Sequence, residues 1–91
     1  MPENDLLKSL GIRVRELRIS FGWTQEYLAE QLGVSDPMIS NLENGKKRIQ
    51  IDNLLALSRI FDVSTDYLLK GTETYEINKE TASRVADKKK K

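Results

Sequence analysis

Apolar side chains recur at intervals of three and four residues along most of the chain, and no stretch alternates apolar and polar residues for long. This spacing predicts an all-α fold, because residues three and four apart share one face of a helix. The first such stripe, which predicts a helix ending before Gly22, consists of Leu7, Leu10, Val14, Leu17 and Phe21. The pattern is divided into short predicted helices by glycines at 11, 22, 33, 45 and 71 and by prolines at 2 and 37.

Capping residues set the limits of a predicted second helix over residues 25–32. Thr24 precedes it with a hydroxyl that can accept from an unpaired backbone N–H, and Gly33 follows it with the freedom to adopt a left-handed conformation. The residues that this helix turns inward are Leu28, Ala29 and Leu32. The second helix is therefore short, and its end is well defined.

A third helix is predicted directly afterwards, from about residue 36 to residue 44. Ser35 can cap it, Asp36 lies near the positive end of its dipole, and Pro37 occupies a first turn that needs no backbone donor. Gly45 ends it. Only three residues, 33–35, thus separate the second helix from the third.

Two further helices complete a predicted five-helix core. The fourth spans about residues 52–61, and the side chains it offers to the core are Leu54, Leu57, Ile60 and Phe61. Ser64 caps a fifth helix that continues through Leu69 and is closed by Gly71. Apolar periodicity then stops, which predicts one domain over residues 1–71 and a polar, disordered or partner-binding tail over 72–91.

Composition narrows the possible functions. The chain has no cysteine and no histidine, so we expect no enzyme activity, metal or cofactor, and no small-molecule ligand is indicated. No apolar run approaches the roughly 20 residues of a membrane span, and the N-terminus lacks the order of a signal peptide, so we expect a cytoplasmic protein. With a net charge of +1, any attraction to nucleic acid must come from an uneven distribution of charge.

The second and third helices have the proportions of a helix-turn-helix, although a plain helical bundle also fits. At about 100° per residue, Ile39 and Leu42 mark the buried side of the third helix. The side chains that then face outward, with Asp36 at the edge, are Pro37, Ser40, Asn41 and Asn44. This face is polar but nearly uncharged, which favours close approach to DNA base edges over an ordinary solvated surface.

Three consecutive cations, Lys46, Lys47 and Arg48, follow the turn at Asn44-Gly45. A helix bound in the major groove would carry this turn along the phosphate backbone, where cations add affinity without sequence information. A solvated basic loop is the alternative interpretation. The position of the cations directly after the predicted reading helix favours phosphate contact.

A series of short motifs occurs in order through about residues 6–71. The motifs are Leu10-Gly11, Arg13 through Arg18, Gly22 through Ala29, Leu32 through Ser35, Ile39-Ser40, Glu43 through Arg48 and Val63 through Gly71. In this order and spacing they resemble the Xre, Cro and phage-repressor family of helix-turn-helix proteins. The resemblance implies a compact lambda-repressor-like domain of the prokaryotic or phage type that regulates transcription.

The resemblance also implies roles for individual side chains. It places base reading on Asp36, Pro37, Ser40 and Asn41, and contact with the DNA backbone on Asn44, Lys46 and Lys47, with Arg48 as a further addition. Gln25, the first residue of the second helix, would anchor a phosphate and brace the reading helix, unless it is a solvated surface residue. The expected reading element is therefore the helix over about residues 35–44.

Arg18 and Glu43 each lie about 70° from the apolar stripe of their own helix, which suits a partly buried ion pair where the two helices meet. In similar proteins such a pair clamps the first helix to the reading helix. We therefore expect both residues to be structural. The alternative for Arg18 is contact with a phosphate.

Several residues depart from the family pattern. Asp36 and Pro37 stand where glutamine or arginine is frequent. The aspartate repels phosphate and can accept from cytosine N4, whereas the proline offers only shape and apolar contact. Direct readout would then depend on Ser40 and Asn41. Trp23 replaces an aliphatic residue, which core packing explains better than base stacking.

One reading helix covers few base pairs, so we expect a homodimer on a palindromic operator of double-stranded DNA with half-sites about 34 Å apart. Candidate dimer surfaces are the fifth helix around Tyr67 and Leu68, and the tail. The leading hypothesis is a sequence-specific DNA-binding regulator, more often a repressor. The alternative is an antitoxin or accessory subunit whose tail binds a protein partner.

Overall fold

The computed structural model describes residues 3–71, and the expectations for the tail over 72–91 lie outside these described residues. The described part is all-α, which confirms the predicted fold class. Its five helices are α1 (Glu3–Ser20), α2 (Gln25–Leu32), α3 (Asp36–Glu43), α4 (Ile51–Phe61) and α5 (Thr65–Lys70). None of these helices is long and apolar enough to cross a membrane.

Side-chain caps begin three of the helices, as predicted. The hydroxyls of Thr24, Ser35 and Ser64 each accept a hydrogen bond from the backbone N–H three residues later, at 3.0, 3.3 and 2.9 Å. Each cap satisfies a donor that the start of a helix leaves unpaired and contributes about 1 kcal/mol. α4 begins at Ile51, one residue earlier than predicted, after Gln50, whose side chain makes no capping hydrogen bond.

All five helices contribute to the buried core. Its apolar members are Leu10, Val14, Leu28, Ala29, Ile39, Leu42, Leu57, Phe61 and Leu68. Complete burial of one such side chain contributes about 1.5–3 kcal/mol, so this shared core holds the short helices together. Leu68 is fully buried within it, which corrects the expectation that this residue offers a dimer surface.

The spacing predicted a core position for Phe21, but its side chain is 44% exposed. It lies just beyond Ser20, where α1 ends, so the helical repeat no longer sets its direction. Its ring packs edge-on against Trp23 and Phe61, with ring centroids 5.0 and 5.2 Å apart. Trp23 also packs against Tyr27, at 4.9 Å, so aromatic packing accounts for the tryptophan.

Gly11 lies inside α1, although the sequence pattern predicted that it would interrupt the helices. Its missing side chain lets α1 and α3 approach closely. A Cβ placed on Gly11 would lie 2.5 Å from the backbone carbonyl oxygens of both Leu42 and Glu43. The contact therefore fixes the C-terminal end of α3 against the middle of α1.

Candidate nucleic-acid interface

The turn between α2 and α3 is closed by backbone hydrogen bonds around a left-handed glycine. Gly33 has a φ of 77°, and its N–H and that of Val34 both donate to the carbonyl oxygen of Ala29, at 2.8 and 3.0 Å. A side chain would strain the backbone at this φ, so glycine allows one helix to end and the next to begin within three residues. The two helices and their turn form a helix-turn-helix.

α3 presents different chemistry to the core and to solvent. Ile39 and Leu42 are buried, as their spacing predicted. The outward side, called here the reading face, consists of exposed Asp36 and Pro37, half-buried Ser40 and Asn41, and exposed Asn44. Short side chains that end in a hydroxyl or an amide can approach the edges of bases closely. The geometry of α3 is therefore suited to contact with DNA bases.

Hydrogen bonds fix the segment that follows α3 to the end of this helix. Asn44 Nδ2 donates to the carbonyl oxygen of Ser40 at 2.9 Å, and the Lys46 N–H donates to that of Asn41, also at 2.9 Å. The three cations of this segment, called here the cationic turn, are exposed and are Lys46, Lys47 and Arg48. The structure thus places the cationic turn directly beside the reading face.

Gly45 packs the beginning of the cationic turn against α1. Its φ is 68°, and a Cβ placed on it would lie 2.8 Å from Lys8 Cα. Glycine is therefore required both by the backbone conformation and by the close contact. The contact brings exposed Lys8, which no sequence motif had singled out, next to the turn.

Arg18, Gln25 and Glu43 join three helices around one carboxylate. Arg18 Nε donates to Glu43 Oε2 at 2.7 Å, and Arg18 Nη2 donates to Oε1 at 3.1 Å. Gln25 Nε2 donates to the same Oε1 at 3.0 Å, while Arg18 Nη1 donates to the carbonyl oxygen of Trp23 at 2.8 Å. The side chains of Glu43 and Arg18 are 2% and 12% exposed. Shielding from water strengthens these interactions, which hold the end of α3 in place.

A second arginine, Arg13, has a role that the sequence did not reveal. Arg13 Nη1 donates to the carbonyl oxygen of Leu68 at 2.7 Å, which ties α5 to α1. The bond joins residues 55 positions apart, and neither local spacing nor residue type signals it.

Among residues 3–71, no group of acidic side chains is arranged to hold a metal ion.

The helix-turn-helix, with its capped third helix and adjoining cations, defines the class of protein. The chain belongs to the helix-turn-helix family of the Xre, Cro and C1 type, whose sequence profile matches residues 14–68, more than half of the chain. Within this family it is similar to the transcriptional regulator ImmR of Bacillus subtilis, with 41% identity over 70 residues. That match covers 77% of this chain and 55% of ImmR.

A phage repressor is also similar to the chain. It is 40% identical over 62 residues to repressor protein C2 of Salmonella phage P22, a match that covers 68% of this chain and 29% of C2. The crystal structure of the P22 c2 repressor with a synthetic operator superposes with a TM-score of 0.67 and 40% identity, over 69% of this chain and 96% of that one. The chain thus spans little more than half of ImmR and less than a third of C2.

Proposed function

We propose that this chain is a sequence-specific DNA-binding transcription regulator, and that α3 reads operator DNA in the major groove. The observation that carries the proposal is the position of the polar reading face beside the exposed cationic turn. Bases are read by close hydrogen-bonding side chains and phosphates attract cations, so the two surfaces match the two parts of a DNA strand. The operator complex of the similar P22 c2 repressor supports this use of the domain.

Four residues of the reading face contact bases in this proposal. Asn41 has the most specific chemistry, because its amide can donate to adenine N7 and accept from the adenine N6 amino group. Ser40 can donate or accept through its hydroxyl. Asp36 accepts from cytosine N4, and Pro37 supplies apolar contact. Specific recognition is therefore concentrated on Asn41 and Ser40.

In this proposal, the residues that contact phosphates are Gln25, Asn44, Lys46, Lys47 and Arg48. Gln25 gives one N–H of its amide to Glu43, which leaves the second for a phosphate oxygen. Asn44 likewise gives one N–H to the carbonyl oxygen of Ser40. These contacts set the register of α3 on the duplex and supply most of the affinity for DNA of any sequence.

Arg18 belongs with the scaffold in this proposal and not with the phosphate contacts. Its Nε, Nη1 and Nη2 atoms all donate within the domain, to Glu43 and to the carbonyl oxygen of Trp23. These bonds use three of its five N–H groups and hold the guanidinium against Glu43, where the arginine side chain is 12% exposed. The arginine therefore acts on DNA binding only through the position of α3.

We further propose a homodimer that binds a palindromic operator, because a single reading helix contacts few base pairs. Repression is the regulatory outcome that fits best, since a small domain bound at an operator can block polymerase without other machinery. The similar C2 protein of phage P22 is named a repressor. The role is one of binding without catalysis, on DNA in the cytoplasm.

Selection of bound DNA from a random library tests the proposal. We expect a two-fold symmetric motif whose half-sites are about 34 Å apart, bound at least about a thousandfold more tightly than random DNA. The same selection with Asn41→Ala should lose the preference at one position of each half-site. Arg59→Ala, which changes an exposed residue near the end of α4, is the control and should leave the motif unchanged. Equal affinity for selected and random DNA would refute the proposal.

A further inference from the structure

Lys8 lies on α1 directly beside the cationic turn. The place that a Cβ on Gly45 would occupy is 2.8 Å from Lys8 Cα and 3.0 Å from both Lys8 N and Lys8 Cγ. The first part of the lysine side chain therefore runs past the backbone of Gly45, one residue before Lys46. Lys8 is exposed, as are Lys46, Lys47 and Arg48. α1 thus brings a fourth exposed cation next to the three of the turn.

Packing explains the position of Lys8 but not its charge. The contact with Gly45 uses the backbone and the stem of the lysine, which any unbranched side chain would supply. Among the side chains that the structure describes, no carboxylate forms an ion pair with Lys8. Like charges that are held close together repel one another and lower the stability of a fold. A cation at this position therefore destabilises the free protein, which a neutral residue would avoid.

A bound phosphate would offset this repulsion. Each strand of DNA carries one negative charge for about every 3.4 Å along the helix axis, so a domain that follows the backbone meets several phosphates in succession. The ammonium of a lysine ends a flexible four-carbon stem and offers three donors, so it can bind a phosphate oxygen at some distance from its own backbone. Cations on two neighbouring elements, α1 and the turn, therefore match successive phosphates of one strand.

We propose that Lys8 binds a phosphate of the operator backbone, next to the phosphates that the cationic turn contacts. The inference rests on the proposed function and extends its DNA contacts to α1, a helix outside the helix-turn-helix of α2 and α3. Gly45 leaves room for the lysine stem and so positions the cation beside the turn. Because every DNA sequence has the same phosphates, this contact adds affinity for all DNA and does not change the preferred operator.

The salt dependence of binding tests this contact. Lys8→Met keeps an unbranched stem and removes the charge, so the slope of log affinity against log salt should flatten by about 0.9 on operator and random DNA alike. The loss of affinity should then be about 3.5-fold larger at 50 mM salt than at 200 mM salt. Lys8→Arg keeps the charge and should retain the slope. Lys70→Met makes the matched change at an exposed lysine of α5 and should leave the slope nearly unchanged.

Uncharged phosphates locate the contact on the operator. Each phosphate is replaced in turn by a methylphosphonate, which carries no charge, and binding is measured by fluorescence anisotropy at one salt concentration. At one phosphate per half-site, the replacement should weaken binding by the unmodified chain and by Lys46→Ala, but not by Lys8→Met. That phosphate is the one that Lys8 binds.

An unchanged slope for Lys8→Met, or a methylphosphonate profile identical to that of the unmodified chain, would overturn the contact and leave the proposed function intact. A change in slope that Lys70→Met reproduces would also overturn it, because total charge and not position would then be the cause. Lys8→Met should unfold at the same urea concentration as the unmodified chain or at a higher one, and a lower midpoint would assign Lys8 a structural role instead. Failure to prefer any operator over random DNA is a different result, and it would refute the proposed function as well.

Discussion

Glu43 is the side chain on which three helices converge. As the last residue of α3, it accepts two hydrogen bonds from Arg18 on α1 and one from Gln25 on α2. Because its side chain is 2% exposed, water cannot take the place of a partner that is removed. This carboxylate therefore links the stability of the fold to the orientation of α3.

Glu43→Ala should lower the free energy of unfolding by about 3 kcal/mol, because it leaves the charge of Arg18 largely buried and without its carboxylate. Urea denaturation followed by circular dichroism measures this change. Glu16→Ala removes an exposed carboxylate from α1 and should change the stability by less than about 0.5 kcal/mol. Equal unfolding midpoints for the two variants would show that the network does not stabilise the domain.

Asn41→Ala should cost about 1–3 kcal/mol of binding free energy on the preferred operator, since it removes the proposed bidentate contact with adenine. Binding to random DNA should change little, because the phosphate contacts remain. The measurement is the ratio of specific to non-specific affinity at one fixed salt concentration. Gln31→Ala, an exposed amide on α2, is the matched control. A ratio that survives Asn41→Ala would contradict the base-reading role.

The packing of α1 against α3 depends on the absence of a side chain at Gly11. Helix propensity alone predicts that Gly11→Ala stabilises α1 by up to about 1 kcal/mol. The added Cβ, however, would lie 2.5 Å from two carbonyl oxygens of α3, and overpacking of this kind costs about 1–3 kcal/mol. We expect a net loss of stability and a lower Tm in a thermal melt. Arg15→Ala, on the exposed face of the same helix, should melt close to the unmodified chain, and a raised Tm for Gly11→Ala would refute the packing argument.

The limits of the helices were predictable because local chemistry sets them. The hydroxyls of Thr24 and Ser35 act on backbone groups only three residues away, so the sequence contains all the information needed. The contacts that seat α3 were not predictable, because they join distant parts of the chain. Nothing near Gly11 distinguishes a glycine at a helix contact from a glycine in a turn, and the same is true of the contact between Gly45 and Lys8.

The candidate site was likewise predictable where local spacing determines it, and not where it depends on contacts between distant residues. The buried spacing of Ile39 and Leu42 determines which side of α3 faces outward, and that periodicity is visible in the sequence. The bond from Gln25 Nε2 to Glu43 depends on side-chain conformations that residue type does not fix. The path of residues 45–50, which brings Ile49 close to Met38 and Leu42, was not predictable either, because these residues form no helix and have no periodic pattern.

The charge of the whole molecule is nearly balanced, with a net charge of +1, and acidic residues slightly outnumber basic ones within residues 3–71. Total charge therefore does not draw the described domain to DNA. In the proposed function, attraction comes from a place where cations gather within residues 3–71, and the cationic turn is such a place. Affinity for DNA should thus respond to the position of a removed cation more than to the number removed.

Lys46→Ala combined with Lys47→Ala should weaken binding to operator and random DNA alike. The slope of log affinity against log salt should flatten by about 0.9 for each phosphate that the protein no longer neutralises, because fewer counterions are released. Arg59→Ala combined with Lys70→Ala removes the same charge from other exposed positions and should leave the slope nearly unchanged. Identical slopes for the two double variants would exclude local phosphate binding by the turn.

Seven of the eight residues of α3 divide between two interleaved tasks. Folding is served by Ile39, Leu42 and Glu43, and in the proposed function recognition belongs to Asp36, Pro37, Ser40 and Asn41. None of the four recognition side chains belongs to the buried core, so the set is exchangeable without disturbing the residues that hold the helix. Evolution can retarget such a domain to a new operator through a few surface positions, and an engineer can graft a foreign outer face onto the same scaffold.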